Sequence, residues 1–371
     1  MIESLHSFFS FLAKMFHNSL IMIKKIYLYV CVCVLTLSFN FAIPAADAQD
    51  IQPAPEMILP IDCELGWNCW IMNYVDHDTS KAAQDYRCNN QTYNAHKGTD
   101  FMIRNYRDMI GGVVVRAAAA GEVLGARDSM KDIDYRKRRP ELVAKKECGN
   151  GIRIKHENGW ITQYCHLRKN SVKVKKGDVV QTGDTLGFVG NSGKTYFPHL
   201  HFQVEYIAPS SKKRRGAIVD PFVGVARNEA CEASQNALWP EQIIDALTYE
   251  DVSIIDLGFA ASKPKPDGLI QGLYDDETLS VRSPQLFLWA RILHVKKGDK
   301  VTFTIKDVDG DEVLAYTSTI ERDQAYRTLH AGIRKPSINW DEGVYRGQIK
   351  LTREAENGGR IYRSEATVSI R

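Results

Sequence analysis

From Leu200 to Tyr206 apolar and polar residues alternate, so Pro198-His199-Leu200-His201 enters a β-strand whose period of two puts both histidines on one face. Upstream stands His96-Lys97-Gly98-Thr99-Asp100, where Gly98 predicts a tight loop leading into a strand over 100–103. His, Asp and His are ordinary zinc ligands. Three protein ligands leave a fourth position open, which is the arrangement of a catalytic site. Zinc held in this way brings the pKa of a bound water to about 7, and that points to hydrolysis. Between the two stretches, residues 149–156 and 160–167 read as the strands of a hairpin around Asn158-Gly159. Its second strand ends at His166, within reach of the same centre.

Three motifs therefore occur in order: His96-Lys97-Gly98-Thr99-Asp100-Phe101, Tyr164-Cys165-His166-Leu167, and Gly190-Asn191-Ser192-Gly193 followed by Pro198-His199-Leu200-His201-Phe202. Together they resemble the lysostaphin-type (LytM-like) zinc metalloendopeptidases, which cut the peptide part of bacterial peptidoglycan. The resemblance spans residues 93–207, and no functional position departs from it. It implies that His96, Asp100 and His201 hold one Zn²⁺ and that His166 and His199 are catalytic. One imidazole would take a proton while the other stabilises the oxyanion or protonates the leaving amine, and which does which stays open. The alternative is a catalytically silent, wall-binding regulator of another hydrolase, although such proteins typically lack one or more of these residues. A protease acting on proteins is a further alternative, because the chemistry is the same for any peptide bond. His156-Glu157 begins like the helical metalloprotease motif, but Trp160 stands where its second ligand would be. His156 reads as a strand residue.

Around this segment the chain is expected to be mainly β, with a LytM-like antiparallel β catalytic domain followed by a C-terminal β-sandwich. Lys24 and Lys25 precede an apolar run over 26–41, and Ala46-Asp47-Ala48 offers a cleavage site. Residues 1–48 thus read as a signal region cleaved after Ala48, with Met1 and Met22 as alternative starts. The product would be exported, periplasmic or extracellular, with no stable membrane anchor. It keeps Cys63, Cys69, Cys88, Cys148, Cys165 and Cys231, an even number that fits three disulfides in an oxidising compartment.

The remaining chain of about 320 residues exceeds what one core usually supports. Residues 49–92 read as a disulfide-tied lead-in, 93–225 as the metallopeptidase domain and 226–250 as a connector. From 251 to 371, short alternating runs separated by turn residues predict the β-sandwich. His294 and His330 are isolated there, so this part reads as a docking module. A net charge of +3 gives no case for nucleic acid. Peptidoglycan or muropeptides are the expected substrate, and a protein regulator stays open as a partner. Asp76-His77-Asp78 reads as a polar loop and not as a second cation site. Residues 127–147 interrupt the β pattern with an excess of basic residues, either as a functional loop beside the groove or as a solvated insertion.

Overall fold

The alternation that places His199 and His201 on one face also builds the central sheet. The protein, seen in a computed structural model, is described over residues 52–371 except 213–215, 225–230, 233–235, 336–338 and 355–357; the expected signal region lies outside the described residues. The first strands are β1 (Cys69–Asn73), β2 (Thr99–Ile103), β3 (Val114–Arg116), β4 (Gly121–Arg127) and β5 (Asn150–Lys155). They are followed by β6 (Trp160–Leu167), β7 (Val179–Val180), β8 (Thr185–Phe188), β9 (His199–Tyr206) and β10 (Ala217–Val219). Eight of these form one antiparallel sheet in the order β1-β2-β9-β6-β5-β4-β7, with β10 beside β9, while β3 pairs with β8. Phe101, Ile152, Ile154, Tyr164, Phe202 and Val204 enter one apolar core, which also takes Met57 and Tyr74 from the lead-in and Trp239 and Leu247 from the connector. The opposite sheet face carries the polar set of the same strands.

Several details differ from the sequence reading. The hairpin of β5 and β6 forms as expected, but its connection is a 3₁₀ turn over Glu157–Gly159, with Asn158 at φ 58°. His156 lies in that connection and not in a strand: its ring contacts the Ala120 carbonyl at 2.7 Å and the Thr162 hydroxyl at 2.8 Å, which accounts for both nitrogens. The alternation from Val172 to Val180 predicts a strand, yet only Val179–Val180 form one; upstream, the Asp128 carboxylate accepts from the Ser171 and Val172 amides. Asp76 is likewise consumed by backbone, accepting from Asp78, Gln84 and Ala95.

Residues 127–147 form a pinned loop. Asp132 accepts from the Lys169 and Asn191 amides, Val143 is buried, and Asn150 bonds Met130 through both its side-chain oxygen and nitrogen. Three disulfides join Cys63 to Cys69, Cys88 to Cys231 and Cys148 to Cys165.

The C-terminal strands are β11 (Ser253–Ala260), β12 (Thr278–Leu279), β13 (Gln285–Val295) and β14 (Lys300–Lys306), then β15 (Glu312–Thr319), β16 (Gln324–Arg334), β17 (Gly343–Arg353) and β18 (Arg360–Ile370). Sheets β11-β13-β16 and β12-β18-β17-β14-β15 bury Leu286, Leu288 and Ile292 with Phe303, Ile349 and Val368. This is the expected sandwich. It packs directly on the first sheet: Trp70, Met72 and Met102 meet Ile255 and Leu293, with Phe197 and Tyr326 at the margin. Arg291 is fully buried at this contact, donating to the Arg104 carbonyl, to Asp256 at 3.0 Å and to the Tyr326 hydroxyl at 2.9 Å. A buried guanidinium needs such partners to offset its desolvation.

Candidate metal centre

Strands β2 and β9 lie side by side with Asp100 opposite His201 and Met102 opposite His199, and β6 sets Cys165 opposite His201 on the other flank. The loop before β2 returns His96 over this face. His96 Nε2 lies 3.2 Å from both His201 Nδ1 and Asp100 Oδ1, and His201 Nδ1 lies 2.8 Å from Asp100 Oδ1. Ligands about 2.0–2.1 Å from a tetrahedral zinc stand about 3.3 Å from one another, so these donors fit the ion. Among the described residues this is the only His/Cys/Asp/Glu group so placed.

Gly98 is required here for space. A Cβ at this position would meet the Phe202 carbonyl oxygen at 2.4 Å and the His201 ring at 2.8 Å. The sequence suggested a turn glycine, whereas the constraint is close approach of the loop to the His201 ring.

His166 and His199 complete the site, with ring centroids 4.6 Å apart, and His199 Nε2 is 3.6 Å from Asp100 Oδ1. His166 has left-handed backbone at φ 64°, fixed by its amide donating to the Cys148 carbonyl at 2.8 Å. Three of the imidazoles are oriented by carbonyls. His96 Nδ1 is 2.6 Å from the Tyr74 oxygen, His166 Nδ1 is 2.7 Å from that of Ser192, and His199 Nδ1 is 3.0 Å from that of Phe197. Donation from Nδ1 leaves the Nε2 lone pair facing the centre. Thr195 Oγ1 adds a contact to His199 Nδ1 at 3.0 Å.

The electrostatics follow from burial and mutual proximity. Burial alone would raise the Asp100 carboxyl, but the imidazoles of His96 and His199 outweigh it and hold the group well below the usual carboxylate range. Burial works to lower His96, and the Asp100 charge beside it more than reverses this. His166 is pushed well down by burial and then by His199 and His201, and His199 is lowered by burial against the pull of Asp100. Both are therefore neutral imidazoles at neutral pH.

All five positions expected from the sequence thus converge. Sequence reading missed the carbonyls that aim them, which carry no side-chain signal. It also missed Tyr93, whose ring lies 4.4 Å from that of His96. The third motif's glycine is explained by Gly193, at φ 87°, where a Cβ would meet the Glu147 carbonyl at 2.3 Å. This contact locks the Ser192 segment against the end of the 127–147 loop.

An open groove runs past the centre along the polar sheet face, with Tyr93, Lys97, Glu147, Arg153, Gln163 and Lys194 among its lining. A His/Asp/His group that could hold a metal ion stands beside two buried neutral imidazoles, in an open groove on an antiparallel sheet. Residues 94–221 match the family model Peptidase family M23, a span that contains all three motifs. The chain is 39% identical over 79 residues to "Cell division protein DipM" of Caulobacter vibrioides, covering 21% of this chain and 12% of that protein. It is 30% identical over 109 residues to "Peptidoglycan DD-endopeptidase ShyC" of Vibrio cholerae, covering 29% of this chain and 20% of that protein. The chain thus spans a fifth or less of the length of these two relatives. The solved catalytic domain of lysostaphin from Staphylococcus simulans aligns at 22% identity over 42% of this chain and 89% of that one, with a TM-score of 0.25.

Proposed function

We propose that the protein is a zinc-dependent endopeptidase that hydrolyses peptide bonds in peptidoglycan stems or cross-bridges. The observation that carries this reading is the donor triangle of His96 Nε2, Asp100 Oδ1 and His201 Nδ1, with His166 and His199 beside it. Those three residues would hold the ion, which supplies Lewis acidity and lowers the pKa of water. His166 and His199 would handle protons. Each is buried and neutral, each donates Nδ1–H to a carbonyl, and each presents Nε2 inward, so one can accept a proton and later return it to a leaving amine. Buried Asp100, whose Oδ2 accepts from Asn73 Nδ2 at 2.9 Å while Oδ1 faces the imidazoles, would act as a ligand and not as the base.

Peptidoglycan is the proposed substrate class because the similar protein of Vibrio cholerae is named a peptidoglycan DD-endopeptidase. The presence of all five residues argues against the silent regulator. Three disulfides suit an oxidising compartment outside the cytoplasm, and among the described residues no helix is long and apolar enough to cross a membrane. Incubating purified muropeptides with the protein, with and without a chelator, tests the reading. Chelator-sensitive cleavage is expected and the product masses identify the bond. Intact muropeptides beside zinc-loaded protein would refute it.

A further inference from the structure

The polar sheet face continues past the metal ligands. Period two along β9 carries His201 on to Gln203 and Glu205, and the register sets Gln203 opposite Gln163 and Gln163 opposite Arg153. Glu205 is buried and fully engaged. Its Oε1 accepts from Gln203 at 2.7 Å, and its Oε2 accepts from Arg153 Nη2 at 2.6 Å and from the Gly216 amide at 3.3 Å. Arg153 is in the opposite condition. Of its five N–H donors, the described residues engage only the one on Glu205, and its Nε is buried without a partner among them. The guanidinium is thus only partly satisfied from within the protein, and its side chain is about a third exposed.

Arg153 also sits where two concavities join. It lines the groove past His96, His166 and His201, and it lines the adjoining hollow over β4 and β5 floored by Gly125 and Gly151. Strand spacing and rise place its Cα about 12 Å from that of His201, a span of about three to four extended peptide residues. A planar fork held by a buried carboxylate, its Nε buried and its side chain about a third exposed where it lines an open groove, is suited to a carboxylate.

We propose that Arg153 is a carboxylate-recognising subsite, held by Glu205, that takes a free carboxylate of the substrate a few residues from the scissile bond. This rests on the peptidase reading above and assigns that site a preference for acidic stems. The test uses two soluble muropeptides, one with its stem carboxylates free and the other amidated, and measures affinity by fluorescence anisotropy with cleavage followed in the same mixtures.

Zinc-loaded wild-type protein should bind the acid form about tenfold or more tightly than the amide, the range of a charge-assisted pair. Arg153→Gln should remove that preference by weakening the acid form alone, and Arg153→Lys should retain part of it. Equal weakening of both ligands in Arg153→Gln would make the residue a structural ion pair and overturn the proposal, as would wild-type protein that does not discriminate. Absent cleavage would refute the peptidase reading instead, while the binding difference still decides for or against Arg153.

Discussion

Phe197 and His199 are coupled through both backbone and ring: the Phe197 carbonyl takes the His199 Nδ1 proton at 3.0 Å, and the ring centroids lie 5.0 Å apart. The Phe197 ring packs in the cluster where Ile255 and Leu293 of the sandwich meet Trp70 and Met102. Packing of the C-terminal part therefore reaches a proposed catalytic imidazole through one residue. Phe197→Ala should lower kcat by about tenfold or more, because small misplacements of a reacting group have effects of that order. Zinc content should be unchanged. Steady-state kinetics beside metal analysis checks this, and a folded variant with normal kcat would break the link.

The metal and acid–base roles separate in a second set of variants. His201→Ala should lose zinc and activity together. His166→Ala and His199→Ala should keep zinc while the rate drops about 10²-fold or more, the usual size of acid–base contributions. Near-normal turnover in either would withdraw its catalytic role.

The site was legible because its chemistry sits in side chains at fixed spacings. Strand period two put His199 and His201 together, and β2 needed only to pair in register for Asp100 to face His201. The sandwich strands were legible for the same reason. What stayed hidden depends on contacts with no period. Asp128 and Asp132 hold backbone amides some forty to sixty residues away, so a segment that reads as an irregular insertion is tied down. The contact between the two parts was equally invisible, since Trp70, Met102 and Leu293 look like ordinary strand residues until both sheets are placed. A docking module was expected, and packing against the site's surroundings gives that module a second, structural part.

The Cys148–Cys165 disulfide lies beside His166, whose amide bonds the Cys148 carbonyl at 2.8 Å. Replacing both cysteines by Ser should remove about 3 kcal/mol of stability, the expectation for a loop of this length. The left-handed backbone at His166 would lose a restraint, so kcat should fall several-fold with zinc retained. Denaturant unfolding and kinetics on the same preparation test both halves, and a stability loss with unchanged kcat would leave the bond purely structural.

Acid sensitivity should arise at the contact between the two parts. Burial lowers His294 to about 4 from the ordinary imidazole value of 6.5, with Arg353 and Lys296 adding to the effect and a bond to the Ile71 carbonyl opposing it. The unfolded chain therefore binds the proton more readily, so this contribution is complete above pH 6.5, falls as pH drops, and is gone below about 4. Its full size is about 3 kcal/mol. Asp256 acts in the opposite direction: burial raises it to about 6 from 3.8 despite Arg291, so its contribution diminishes as pH rises through that window. His294→Gln should reduce the drop in Tm between pH 7 and pH 5. An unchanged drop would place the acid sensitivity elsewhere.

The 127–147 loop yields a prediction on which the sequence alone left two readings open. Read as a basic segment beside the groove, it suggests that neutralising residues Arg136 to Arg139 weakens substrate capture at low salt; read as a solvated insertion, it suggests no such effect. In the structure Arg136 pairs with Asp134 and lies near Asp267, and Lys137 Nζ is 2.9 Å from Asp267 of the C-terminal part. These are half-exposed pairs, each worth about 1 kcal/mol or less. Arg136→Gln with Lys137→Gln should therefore lower stability slightly and leave the salt dependence of kcat/KM unchanged. Asp132→Ala should behave differently, because its carboxylate accepts from the Asn191 and Lys169 amides at 2.8 Å and 2.9 Å. Losing those charge-assisted bonds should remove about 1.5–3 kcal/mol and loosen the segment whose Ser192 carbonyl orients His166. A several-fold fall in kcat is expected. A salt-dependent loss in the double variant, together with normal kcat in Asp132→Ala, would return the loop to substrate capture.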